Sequence, residues 1–140
     1  MPHTIHITTQ TLANRQTASS GSKWEPKMGY SRAVRAGNLI AVTGTVGVES
    51  DGRYSPDLET QTRRSLAIIR SAIEALGGKI EQVIRTRMYV IDVSKWEEVA
   101  KVHGEVFAQI RPATTIVQVS RLIDNEAQIE IEADAVVPQA

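Results

Sequence analysis

The sequence predicts a mixed β-sheet of five or six strands with two amphipathic helices packed on one face. Three observations predict it. Ile129, Ile131, Ala133, Ala135 and Val137 alternate with Gln128, Glu130, Glu132 and Asp134, the period of a half-buried strand. Leu58, Thr62, Leu66, Ile69, Ile73 and Leu76 recur every three to four residues, and so do Trp96, Val99, His103, Val106 and Phe107; each set makes one buried helical stripe. The β-rich segments and these stripes follow the order ββ-α-β-α-ββ, so each helix can cross over the sheet between strands. A chain of 140 residues with 41% hydrophobic content suits one soluble globular domain with a single core.

Taken in order, Ile5 and Ile7 alternate with Thr4, His6 and Thr8, which reads as a short edge strand or arm. Residues 10–23 are polar, end in Ser-Ser-Gly-Ser and read as loop. Residues 1–23 are thus expected to form an N-terminal arm, and residues 24–140 a single domain. SRAVRA and LIAVTGTV flank Gly37-Asn38, a turn pair that accepts positive φ, and predict a hairpin. Leu39 to Val46 is apolar on both faces apart from Thr43 and Thr45, as in a central strand. Gly44 in its middle marks either close approach by a ligand or backbone, or a bulge or packing contact. Ser55 reads as a helix cap with Pro56 at the first position, and Gly77-Gly78 as the stop. Val83 to Ile91 reads as a strand, and Ser94-Lys95-Trp96-Glu97 as a capping box opening the second helix. Pro112 ends that helix and biases Arg111 toward extended geometry. Thr114 to Val119 is then a strand and Asp124-Asn125-Glu126 a polar turn. One sheet face is left without cover, which self-association would supply.

Composition narrows the function. Lys and Arg number 16 against 16 Asp and Glu, with no basic run, so the footprint of a nucleic-acid binder is missing. No apolar stretch approaches the length that crosses a bilayer. The segment MPHTIHITTQ lacks a charged region followed by an apolar one, so no secretory signal is expected and the cytoplasm is the expected location. Cysteine is absent, which excludes disulfides, thiolate catalysis and Cys-ligated zinc. His3 and His6 would share a face on a helix but not on an extended segment, so no metal site is expected. His103 on the second helix is either a catalytic base or a partly buried histidine satisfied by hydrogen bonds, with the second reading favoured.

Several pieces together resemble the Rid family, also called the YjgF family: GYSRAVRAGNLIAVTGT (29–45), QTRRSLAIIRSAIEALGG (61–78), VIRTRMYVIDVSKW (83–96), and RPATTIVQV followed by IEIEADAVV. The resemblance covers residues 29–137. It implies an α+β, chorismate-mutase-like fold assembled as a homotrimer, with small-molecule clefts between subunits. It also implies hydrolysis of reactive enamines and imines to a 2-keto acid and ammonia, without metal or cofactor. Some members carry labels as ribonucleases or translation inhibitors.

Carried over position by position, the family's catalytic acid falls on Glu130, which can move a proton between water and an imine nitrogen. Tyr30 is retained near the cleft, Gly44 matches a family glycine, and Thr43 beside it joins the expected ligand-binding set. The arginine that grips the substrate carboxylate falls on Thr114. A frequent Asn falls on Ala100 and a frequent Cys on Ile116. A hydroxyl supplies a neutral donor in place of a charged fork, a loss of about 1.5–3 kcal/mol. Arg32 is the candidate replacement and Arg87 the runner-up; Arg111 and Arg121 read as rim charges. The expected function is a homotrimer that binds a small metabolite without standard deaminase activity. The alternative is an imine hydrolase with a rearranged anchor or a substrate lacking a carboxylate. A ribonuclease is disfavoured by the balanced charge.

Overall fold

Seven strands form one sheet in the computed structural model, which describes residues 3–138. The first two residues of the expected arm and the last two of the expected domain lie outside them. The strands are β1 (Thr8–Leu12), β2 (Arg15–Ser19), β3 (Ala33–Ala36), β4 (Leu39–Val46), β5 (Val83–Val90), β6 (Ala113–Gln118) and β7 (Ile129–Val136), in the spatial order β1-β2-β3-β4-β7-β5-β6. The β5–β6 pair is parallel and the other pairs are antiparallel. A short helix α1 (Trp24–Met28) precedes β3, and α2 (Leu58–Ala75) and α3 (Trp96–Phe107) follow β4 and β5.

The long helices cover one face of the sheet. The expected stripe of α2 is buried throughout, with Thr62, Ile69 and Ile73 at 0% exposure. It meets Ile40 and Val42 of β4 and Ile129, Ile131, Ala133 and Ala135 of β7 in a single core. Each large aliphatic side chain so buried contributes about 1.5–3 kcal/mol relative to an exposed one. The alternation in β7 is complete, and Glu130, Glu132 and Asp134 point to the face away from the helices.

Several expectations are corrected. Most of the expected loop, residues 10–19, is not loop: β1 and β2 form a hairpin across Ala13-Asn14, and β2 pairs with β3, which brings the sheet to seven strands. The cap of α2 is Asp57, whose Oδ2 accepts from Thr60 N at 2.9 Å, rather than Ser55. Ahead of α3, the carboxylate of Asp92 accepts from Ser94 N at 3.0 Å and caps a single 3₁₀ turn, so the expected capping box is not formed. Trp96 is 51% exposed because it opens α3, and the buried stripe is carried by Val99, Val102 and Phe107. Arg111 takes φ of +58° rather than extended geometry, because its N–H turns back to the Phe107 carbonyl at 2.8 Å to close α3.

Candidate functional site

A register shift in β4 shapes the site. Val42 pairs with Ala133 and Thr45 with Ile131, so Thr43 and Gly44 together oppose one residue of β7. The bulge turns Thr45 into the core and lets the Glu130 side chain lie across Gly44. A Cβ on Gly44 would sit 2.8 Å from Glu130 Oε2 and 2.9 Å from its carboxyl carbon. Of the two sequence readings of this glycine, the bulge and packing contact is the one found: its neighbour is the Glu130 side chain.

Glu130 opens into a cleft of ≈ 620 Å³ at the end of the sheet, with Tyr30, Arg32, Gly44, Tyr54 and Asp124 on its walls. Burial raises the Glu130 carboxyl above its ordinary pKa; Arg32 opposes the shift and Glu132 adds to it. Tyr54 donates to Asp124 at 2.5 Å, and burial together with that carboxylate pushes its phenol far up, keeping it a neutral donor. Thr4, Ile5 and His6 line the same cleft. The segment is held by Arg64 of α2, which donates to the His3 carbonyl at 2.7 Å and the Thr4 carbonyl at 3.3 Å.

Arg32 is on the cleft wall but 6% exposed. Its Nε donates to Ser20 Oγ at 3.1 Å, and Nη1 donates to the Gly44 carbonyl at 2.8 Å and Thr45 Oγ1 at 3.2 Å. Nη2 lies 3.7 Å from Glu25, which also accepts from the Ser20 hydroxyl and amide. The guanidinium thus ties Ser20 just after β2, α1 and the β4 bulge together, and its charge acts on the Glu130 carboxyl. Arg87 is paired with Glu132 and Asp134 on the outer sheet face. Thr43 lies beside a second hollow of ≈ 510 Å³ on that face, which it lines with Tyr30, Glu132 and Asp134.

The remaining expected residues are elsewhere. Thr114 and Ile116 pair with Thr86 and Met88, both buried on the helix side, so they face α3 at the sheet's β6 edge. Ala100 is exposed on α3, one turn before His103. His103 is half-buried with Nε2 2.9 Å from Thr86 Oγ1, the hydrogen-bonded state that the sequence favoured. The chain therefore brings Tyr30, Arg32, Gly44 and Glu130 together on one side, and Thr114, Ile116 and Ala100 on the other.

Sequence reasoning missed Glu25, Tyr54, Asp124 and Thr86. The Tyr54–Asp124 bond spans 70 residues and has no local signature. Glu25 was findable in principle, as an acid beside Trp24 ahead of a turn. Among the described residues no cluster of His, Asp and Glu is arranged to hold a metal, and no helix is long and apolar enough to cross a membrane.

The arrangement has relatives. The family model for endoribonuclease L-PSP matches residues 21–137. A crystal structure of a member of the YjgF/YER057c/UK114 family from Mycobacterium tuberculosis superimposes with a TM-score of 0.82 at 46% identity, covering 88% of this chain and 99% of that one. An uncharacterised protein of Streptomyces coelicolor is 36% identical over 117 residues, 83% of this chain and 87% of the relative. The 2-iminobutanoate/2-iminopropanoate deaminase of Escherichia coli is 32% identical over 111 residues, 76% of this chain and 86% of the enzyme. The match runs from the turn after β2 to the end of β7 and takes in both groups of candidate residues, and on it the chain belongs to the endoribonuclease L-PSP family, also known as the YjgF or Rid family.

Proposed function

We propose that this chain is a subunit of a homotrimer that binds a small metabolite in clefts shared between neighbouring subunits, without standard 2-imino-acid deaminase activity. One observation carries the reading. The Glu130 group and the Thr114 group lie on opposite faces of the same sheet, so the two halves of the expected site meet only when a second copy contributes one of them. The sheet face away from the helices supports the same assembly, since Leu39 and Val117 on it are 45% and 41% exposed.

The absence of standard activity rests on charge. A 2-imino acid presents a carboxylate, which a guanidinium grips through two charge-assisted bonds. Thr114 has one hydroxyl, and the Arg32 guanidinium is engaged by Ser20, Gly44, Thr45 and Glu25. A specific observation favours the alternative of an imine hydrolase: the Glu130 carboxyl opens to the cleft, and burial raises its pKa, which favours a proton it can pass on. The ribonuclease reading has no comparable support, because the charge is balanced.

The test generates 2-iminobutanoate with an amino-acid oxidase and traps surviving imine with semicarbazide. The natural protein is expected to leave trapping unchanged, and Thr114→Arg to suppress it through Glu130. Suppression by the natural protein that Glu130→Ala abolishes would establish the hydrolase instead.

A further inference from the structure

Thr114 is the outer end of a hydrogen-bonded chain. Its Oγ1 lies 2.6 Å from Oγ1 of Thr86, and that same Thr86 atom lies 2.9 Å from Nε2 of His103. Thr86 is fully buried. A hydroxyl with one hydrogen donates to one of these neighbours and accepts from the other, so the chain has a single sense at any moment. With hydrogen on Nε2 the bonds run outward, and Thr114 offers its O–H at the surface. With Nε2 bare they run inward, and Thr114 offers lone pairs. Neutral imidazole exists in both tautomers. Burial favours the neutral ring, and Phe107 packs against it at a 40° tilt with 4.5 Å between centroids. A guanidinium at the same place would be permanently charged and a donor only.

We propose that Thr86 and His103 are positioning residues that make Thr114 an uncharged subsite adaptable to donor or acceptor, and that the ligand presents an uncharged amide, alcohol or carbonyl there in place of a carboxylate. The inference rests on the shared-cleft reading and supplies its ligand class. It explains why the hydroxyl is held from behind by two further groups rather than left as a rotor on an edge strand.

The probes are 2-oxobutanamide and 2-oxobutanoate, which differ in this one group. Each is titrated into the full-length protein by calorimetry, with the ring nitrogens of His103 followed by NMR; the chain has three histidines, so assignment is direct. The amide is expected to bind about tenfold tighter and to shift the His103 tautomer balance. Thr86→Val leaves Thr114 in place and is expected to erase both the preference and the His103 response, Thr86→Ser to keep them, and Thr114→Arg to reverse the preference. Equal or tighter binding of the acid by the natural protein, or a preference that survives Thr86→Val, overturns the relay while leaving the cleft intact. If neither probe moves the backbone resonances of Tyr30, Glu130 or Thr114, the cleft reading fails and this inference fails with it.

Discussion

A methyl group added at Gly44 would meet the Glu130 carboxyl, the free end of a flexible side chain, at 2.8 Å. The carboxyl can swing away, so Gly44→Ala is expected to cost about 1 kcal/mol or less in urea unfolding. It is nonetheless expected to behave as Glu130→Ala does in ligand binding, because the displaced acid no longer faces the cleft. A large stability loss with unchanged binding would contradict this. The pH dependence of folding reports on the same carboxyl. Burial raises its native pKa above the unfolded value, so the native state holds the proton more tightly than the unfolded chain does. Its contribution is complete below the ordinary glutamate range and is lost as pH rises through the raised value. The stability of the natural protein relative to Glu130→Gln should therefore fall across that window, measured as urea midpoints from acid to neutral pH. A flat difference, or one that grows with pH, would show that the carboxyl is not desolvated.

Among elements, α2 fixes the cleft rim through one side chain. Gln61 is 1% exposed; its Nε2 donates to the Ser55 carbonyl at 2.8 Å and the Glu126 carbonyl at 2.9 Å, while its Oε1 accepts from Gln128 N at 2.8 Å. It thereby holds the loops that carry Tyr54 and Asp124 against the start of β7. A Cβ on Gly47 would lie 2.7 Å from the Gln61 Cα, so the end of β4 seats the same turn of the helix. Gln61→Leu would leave three backbone groups without their partner and is expected to cost about 3 kcal/mol, with the environment of Tyr54 changing in near-UV circular dichroism. A loss below about 0.5 kcal/mol would mean that water replaces the amide. This rim also marks how far the sequence could be read. The helices and β7 were legible because burial on one side imprints a period. The hairpin of β1 and β2 was not, because all five residues of β1 are exposed and Ala18 alone of β2 is buried. The α2 cap was displaced by two residues because Ser55 and Asp57 are both suitable, and the choice turns on which carboxyl or hydroxyl meets Thr60 N. Glu130 and Tyr30 were reached through family resemblance. Gln61, Tyr54 and Asp124 act through contacts across more than fifty residues, which no local pattern records.

For the whole molecule, the consequential fact is that one sheet separates the two candidate groups. The alternation of β7 turns Glu130 away from the helices, while the β5–β6 register turns Thr114 toward them. A chain could make both groups serve one ligand by association with a copy of itself, each interface pairing the Glu130 face of one subunit with the β6 edge of the next. Complementation tests this directly. The natural protein lacks the arginine, and a Thr114→Arg/Glu130→Ala double variant lacks the acid, so neither is expected to hydrolyse 2-iminobutanoate alone. Unfolded together in equal amounts and refolded, they are expected to form mixed trimers in which about one cleft in four receives Glu130 from a natural subunit and the arginine from a double-variant neighbour. Activity is expected to appear in the mixture at about a quarter of the level of Thr114→Arg per cleft, alongside a trimer mass in light scattering. If Thr114→Arg is active but the mixed trimers are not, acid and anchor act within one chain, and the shared cleft is wrong. A monomeric mass would remove the interface altogether.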